Sequence, residues 1–446
     1  LLGFDGIRFD TVIPNYECSS LVHDCGWYDD DGNLWPSYSV FGAREAWKRL
    51  YRIFHGGVIE KGCIQTPNAA GPLMAVHSFS DHHEIGEGYY MHAKTLKDGM
   101  PPDMIRANMT GGQYGFRAEV SIKGGPLHWN EKIAACLVNG AEPRFEDHRG
   151  WKAGYEAQAK PAVSVWNAFD WVDRWNARWL GHWENQGYAN LQLPIANYQL
   201  PMVMASFWWN AKLKRVLLVL GNYETEPFDD VEVKLDLAKL GLKGKVYAED
   251  AITLEPVAIS ADGTMKLDVY GQRYRLIKIS HEPPRFRDEA LSDNLLANTP
   301  AVVDKTWQSD EVKLEPNSVY VVSGQLKIDK PMGEGSANPN VMTMFSPGIY
   351  HAVSLQLAGE GVHGIVATNT LGLCGVKGQE GWFPYTDTPT YKLNYYPKHW
   401  EKTPGWMTVF LPVATGTNAT TGRVAIGITD PGQAQLRDVV LRRFVR

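Results

Sequence analysis

Leu2-Gly-Phe-Asp-Gly-Ile-Arg-Phe-Asp10 opens the chain inside a structural element: Gly6 to Phe9 reads as a short strand that stops at Asp10. The residues downstream decide the kind of strand. A long loop carries Asp29-Asp-Asp-Gly32. Val40, Trp47, Leu50, Tyr51 and Phe54 then recur at helical spacing, which predicts a helix from about Val40 to Phe54. Gly56-Gly57 stops it, because glycine accepts the left-handed C-terminal conformation at little cost. Strands are predicted at Cys63–Thr66, Met74–Phe79 and Gly115–Val120. Helices are predicted after Pro101-Pro102 and from Asn130 to Val138. Strands alternating with helices imply βα units and a parallel sheet. About four such units fit before residue 150, whereas a closed (β/α)₈ barrel needs eight and roughly 250 residues. The expectation is therefore the C-terminal half of a barrel over residues 1–160, with the other half supplied by a separate chain or a precursor segment. The first residue is Leu1 rather than Met, which fits a processed or truncated product; an incomplete sequence would look the same. An open α/β sheet is the alternative, without the support of a GxGxxG or GxxxxGK[ST] loop.

Downstream, residues 161–200 are rich in tryptophan. Trp171, Trp175 and Trp179 fall at i, i+4 and i+8, which predicts one helix face, read as interdomain core ahead of a ligand platform. From about residue 200 the period changes to two. Strands are expected at Arg215–Asn222, Val231–Leu235, Lys245–Ala248 and Tyr274–Ile279, with Asp262-Gly263 marking a hairpin. This predicts a small antiparallel β-sandwich over 201–284. Residues 290–446 read as a second all-β unit, a jelly-roll carbohydrate-binding-like domain. Its clearest strands are Ser318–Ser323, Gly364–Ala367, Trp406–Phe410, Val424–Ile428 and Val439–Leu441. Trp382, Tyr385, Tyr391, Tyr395, Tyr396 and Trp400 crowd one segment. Exposed, Trp382 and Trp400 would form a sugar-stacking platform; buried, they would pin the loop.

The chain has 446 residues and a formal net charge of −6, which gives no electrostatic footprint for nucleic acid. No apolar run approaches the ~18–20 residues that span a bilayer. The 16 Trp, 20 Tyr and 15 Phe suit large cores and also sugar clefts, because the C–H-rich faces of pyranose rings pack on aromatic rings. Five cysteines leave at least one thiol outside an intrachain disulfide. Cys18 and Cys25 are near enough in sequence for a loop disulfide, a better reading than zinc with His23 and Asp24. Cys63 and Cys136 read as core.

In a barrel, residues just past strand C-termini face the active site, and Asp10 is such a residue; the competing reading is a structural Asp capping a turn. The Met74–Phe79 strand leads into a second polar concentration: His77, Ser78, Asp81, His82, His83, Glu84 and Glu87. Glycosidic cleavage needs two carboxyl groups, one protonated to donate to the leaving oxygen and one ionised. Asp10 paired with Glu87 or Asp81 would supply them. Gln65, Asn68, His77 and Tyr89 would position the sugar. The same cluster offers metal-ligand types, but His82 and His83 are adjacent and no HExxH occurs, so neither metal nor cofactor is expected. Asp29, Asp30 and Asp31 lack the EF-hand pattern, and no GxSxG points to a serine nucleophile.

Several of these motifs, in order, resemble glycoside-hydrolase-like proteins related to glycoside hydrolase family 123. They are Asp5-Gly-Ile-Arg-Phe-Asp10, Cys25-Gly-Trp27 with an Asp-Gly turn, and Phe41-Gly-Ala-Arg-Glu-Ala-Trp-Lys-Arg-Leu-Tyr51. His77-Ser-Phe79, Glu84-Ile-Gly-Glu-Gly-Tyr89, the Trp-rich connection and Tyr274-Arg-Leu-Ile277 come after them. The likeness covers about residues 1–280; the last stretch resembles, more weakly, jelly-roll carbohydrate-binding modules. The resemblance implies a TIM barrel, a β-sandwich preceding it, and cleavage of N-acetylgalactosaminides by substrate-assisted retention through an adjacent Asp-Glu pair. Here the matching strand ends Asp10-Thr11, so the Glu is missing and Glu87 would have to take over the acid role. The combined expectation is a bacterial glycoside hydrolase on a polysaccharide or glycoconjugate, located outside the cytoplasm (secreted, periplasmic or at the cell surface), with room for a homo-oligomer. The alternative is a non-catalytic carbohydrate-binding or surface structural protein that retains the scaffold.

Overall fold

The computed structural model describes residues 6–9, 17–57, 62–67, 73–85, 95–110, 117–121, 129–144, 164–192, 202–328, 350–367, 382–386, 390–395, 405–418, 421–428 and 434–445. The chain is a mixed α/β protein, rich in sheet and poor in helix. It divides into two compact units, residues 1–127 with 135–146 and residues 128–134 with 147–446.

The first unit runs β1 (Gly6–Arg8), β2 (Glu17–Cys18), β3 (Gly26–Tyr28), β4 (Leu34–Tyr38), α1 (Val40–His55), β5 (Cys63–Pro67), α2 (Met74–His77) and β6 (His82–Ile85). It continues with α3 (Leu96–Gly99), α4 (Pro102–Asn108), β7 (Arg117–Ser121), α5 (Trp129–Val138), whose last turns belong here, and β8 (Glu142–Arg144). Five strands form one sheet in the order β1-β5-β6-β7-β8, every neighbouring pair parallel. The order follows the chain without the reversal of a doubly wound sheet.

One face of this sheet is mostly apolar, with Thr66 and His83 among its buried side chains, and α1 packs on it at Ile64. Ile64 packs with Trp47 and Phe54, joined by Ile7, Phe9 and Leu50, and the Phe9 and Trp47 rings meet edge to face at 5.2 Å. The amphipathic spacing thus predicts α1 correctly. Its end differs in detail: Gly56 has φ −83°, and the left-handed residue is Gly57 at φ +91°.

Three expectations in this unit are corrected. Met74–Phe79 is not a strand: Met74–His77 is a helical turn, closed by the Leu73 amide donating to His77 Nδ1 at 2.8 Å. The strand is the polar run His82-His-Glu-Ile85, buried because its polar groups find partners. The loop before α1 carries a small antiparallel sheet in the order β2-β4-β3. A fifth parallel strand, β8, follows the four βα units expected before residue 150.

In the second unit, a helix over 164–172 ends where Asp173 takes φ 51°. The tryptophan stripe is therefore not one helix face. Trp171 is buried on the helix, Trp175 lies exposed in a 3₁₀ turn, and Trp179 sits on the strand Arg178–Leu180 with its ring 4.2 Å from that of Trp208. A six-stranded and a three-stranded antiparallel sheet then share one core, with Phe207, Leu218, Val233, Leu267 and Ile277 inside. The predicted strands are all present, as Arg215–Asn222, Phe228–Leu235, Tyr247–Asp250 and Tyr274–Ser280. Asp262-Gly263 makes a turn but not a hairpin. Pro256–Val257 before it pairs in the larger sheet, while Thr264–Val269 after it pairs in the smaller. Gly263 is required there: φ is +86°, and a Cβ would collide with the Leu235 carbonyl oxygen.

Beyond residue 300, another six-stranded sheet faces a five-stranded one over a core that includes Val322, Leu355, Val409, Ile426 and Leu436. The five predicted strands overlap Val319–Ile328, Val362–Ala367, Met407–Thr415, Thr421–Ile428 and Ala434–Arg443. A separate cluster of Leu254, Phe286, Leu291, Val319, Val321, Phe410 and Ala414, with Phe444 against it, joins this part to the preceding sandwich.

Candidate active site

Strand alternation in the parallel sheet separates two chemistries. Ile7, Ile64, Ile85, Ala118 and Val120 have one parity. Arg8, Gln65, His82, Glu84, Glu119 and Arg144 have the other, in register across five strands. Parallel strands covered on both faces normally read as continuous apolar runs, so a face carrying guanidinium, carboxylate, amide and imidazole groups is the chemically distinctive surface of this unit.

Glu84 lies at its centre. Its Oε2 accepts from Arg8 Nη2 at 2.7 Å and pairs with Arg144 Nη1, and its side chain is only 3% exposed. A buried carboxylate between two guanidinium groups is held as the anion. On the next strand, directly beside it in register, Glu119 accepts from Gln65 Nε2 at 3.0 Å through Oε2, and its Oε1 lies 3.0 Å from His82 Nδ1. Glu119 is 15% exposed and meets an amide and an imidazole. The two acids are thus tuned differently: Glu84 is locked in ion pairs, while Glu119 is oriented by an amide and an imidazole.

Of the residues singled out from sequence, Gln65 is on this face and holds Glu119. Asp81 is not: it precedes β6, at the opposite end from the strand C-termini. There its Oδ2 accepts the Ile64 amide at 2.7 Å and lies 2.9 Å from His55 Nε2. That placement fits a fastening of strand ends rather than a proton donor. His77 belongs to the helix-covered side, wholly buried, its ring 4.1 Å from that of His83, so it cannot position a sugar. His83 lies 2.9 Å from Thr66 Oγ1 through Nδ1. Burial pushes His77 down to about 4, and burial together with the neighbouring His77 ring pushes His83 down to about 3. Both are therefore neutral across the physiological range. Asp10, Glu87, Asn68, Tyr89 and Trp400 lie outside the described residues, as does the side chain of Trp382, whose backbone opens the strand Trp382–Thr386.

Glu119 and the two arginines escaped the sequence reading. The signal was present: Arg117-Ala-Glu-Val-Ser121 alternates polar and apolar residues inside a βα region.

Among the described residues no group of three His, Cys, Asp or Glu could hold a metal ion. Asp29 is a loop organiser, accepting from the Asp31 and Asn33 amides, Asn33 Nδ2 and Trp35 Nε1; the Trp35 and Asn33 donors hold its carboxyl below the usual range. The Cys18 thiol hydrogen-bonds that of Cys25 and pushes it up. No described helix is long and apolar enough to cross a membrane.

No family model matches the chain, so the likeness to family 123 rests on motifs alone. No curated protein matches either. Among solved structures, a GH27 β-L-arabinopyranosidase from Geobacillus stearothermophilus is similar at 10% identity and a TM-score of 0.35, over 62% of this chain and 58% of that one. A maltogenic α-amylase from Thermotoga neapolitana is similar at 12% and 0.33, over 58% and 73%. A GH30 endoxylanase from Clostridium papyrosolvens is similar at 11% and 0.29, over 56% and 62%. All three are glycoside hydrolases, and the chain spans less than two thirds of the first and the third. Scores this low do not fix a fold.

Proposed function

We propose that the chain is a glycoside hydrolase, or part of one, whose chemistry uses the polar face of the parallel sheet as the C-terminal portion of a (β/α)₈ barrel. The single observation that carries this is the pair of adjacent carboxylates, Glu84 and Glu119, set among arginine, glutamine and histidine on a face where packing alone would favour aliphatic side chains. Sequential parallel strand order supports the barrel. Glu119 acts as base or nucleophile, oriented by Gln65 and His82. Glu84 fixes Arg8 and Arg144, and Arg8, 40% exposed, binds sugar hydroxyls. Glu84 and Glu119 both accept hydrogen bonds and Glu142 stands beside Glu119 in register; the proton donor is assigned to Asp10, two residues past Arg8, or to Glu87, three past Glu84. The substrate is a polysaccharide or glycoconjugate, met outside the cytoplasm. The two sandwiches serve as accessory domains, the second as a jelly-roll carbohydrate-binding module. A relation to family 123 would place N-acetylgalactosaminides first among substrates.

The test is turnover of aryl glycosides and polysaccharides by the natural full-length protein and its Glu119→Gln, Asp10→Asn and Glu87→Gln variants. Glu119→Gln and one of the other two should lose at least about 10²-fold, the range of acid–base contributions. Undiminished turnover in Glu119→Gln removes the site. A second reading has its own observation: Glu84 is 3% exposed and satisfied by two arginines, an arrangement that serves architecture alone. Glycan binding without turnover would favour that non-catalytic scaffold.

A further inference from the structure

The small sheet before α1 presents two tryptophans in an unusual way. Trp27 on β3 and Trp35 on β4 are directly opposite in register, so both rings leave the same face of the hairpin. Their planes are near parallel, at 24°, with centroids 6.4 Å apart, and they remain 54% and 50% exposed. Cross-strand aromatic pairs stabilise hairpins, but a ring that served only the hairpin would gain most by being covered. Trp35 is also held in rotation, since its Nε1 donates to Asp29 Oδ2 at 2.6 Å. Asp29 is in turn fixed by Asn33, so the ring is rigid rather than adaptable.

Charge around the rings narrows the ligand. Residues 17–39 carry Glu17, Asp24, Asp29, Asp30 and Asp31 and no lysine or arginine. Such a rim repels phosphate, sulfate and carboxylate groups and offers acceptors to hydroxyls. Two flat, spaced apolar faces, one of them pinned to Asp29, in a segment that carries acids and no lysine or arginine match a chain of pyranose rings whose C–H faces stack and whose hydroxyls donate outward.

We propose that Trp27 and Trp35 form a stacking platform for an uncharged polysaccharide chain. This shares with the proposed function only the premise that the protein meets a glycan. The platform binds two successive sugars of a neutral chain and discriminates against sulfated and uronate polymers.

Affinity electrophoresis of the full chain in gels containing galactomannan, xylan or hydroxyethylcellulose, against alginate or carrageenan, tests it. At least one neutral polymer should retard the protein, and the anionic ones should not. Trp27→Thr and Trp35→Thr keep β propensity and should bind about tenfold more weakly each, the equivalent of about 1.4 kcal/mol of lost stacking. Trp35→Phe should fall between, and near-UV circular dichroism would confirm that the hairpin is intact. Retardation by none of the neutral polymers, retardation by anionic polymers alone, or binding undiminished in the double Thr variant each overturns the platform. The catalytic reading stands or falls separately, on turnover in Glu119→Gln.

Discussion

Acid should loosen the parallel-sheet unit through its two adjoining buried histidines. The perturbation is a change from pH 7.5 to pH 5. His77 and His83 titrate in the unfolded chain near 6.5, but burial lowers them to about 4 and about 3 in the folded unit. As pH falls through 6.5 the unfolded chain takes up two protons that the folded unit refuses. Stability is therefore complete above that value and drains away below it. At pH 5 each histidine costs about 2 kcal/mol and the pair about 4 kcal/mol. Because several cooperative units coexist, a single melting curve would blur the effect. Hydrogen exchange followed by mass spectrometry on peptides spanning 63–67 and 82–85 isolates it: after correction for intrinsic rates, exchange should quicken by roughly 10³-fold. Imidazole resonances of both residues should stay neutral in form down to pH 5. Either resonance titrating with a midpoint near 6.5, or protection unchanged between the two pH values, would refute the reasoning.

The remaining expectations are simpler. Arg144→Met leaves Glu84 buried with one guanidinium fewer and should destabilise the first unit by on the order of 3 kcal/mol, read by the same exchange peptides. Gly263→Ala should destabilise the first sandwich by more than about 1 kcal/mol in urea titrations, from its positive φ and the nearby Leu235 carbonyl. Glu255 is pushed up to about 7 by burial. The folded chain thus keeps a proton that the unfolded chain has lost above about 4.5, and the first sandwich should weaken as pH rises from 5 to 8, a trend that Glu255→Gln flattens. The two units should thus respond to pH with opposite signs.

Elements whose burial pattern matches their period were legible in the sequence. Val40–His55 shows one apolar stripe, and Phe228–Leu235 and Thr264–Val269 of the first sandwich alternate as antiparallel strands with one wet face should. His82–Ile85 was hidden because its side chains are polar, and only tertiary partners such as Arg8, Arg144 and Glu119 make that run a buried strand. Trp171, Trp175 and Trp179 misled for the converse reason: the spacing was helical, but Asp173 breaks the helix through a left-handed residue that no periodicity encodes. At the site, Gln65 was legible as a polar residue at a strand end. For Glu119 the alternation of Arg117–Ser121 showed a polar strand position, but not its significance, which lies in facing Glu84 across a parallel register, a long-range fact.

The aromatic seam of Phe286, Phe410 and Phe444 bears on how the C-terminal region can be dissected. The Phe286 ring touches the other two, at 5.8 and 5.6 Å, and the Val445 amide donates to the Ala290 carbonyl. Severing the chain near residue 285, where composition alone suggests a joint, would strip Leu254 of its cover and leave the last strand without its closing clasp. The two β-rich portions should therefore behave as a single heritable cassette, exchanged between proteins together or not at all.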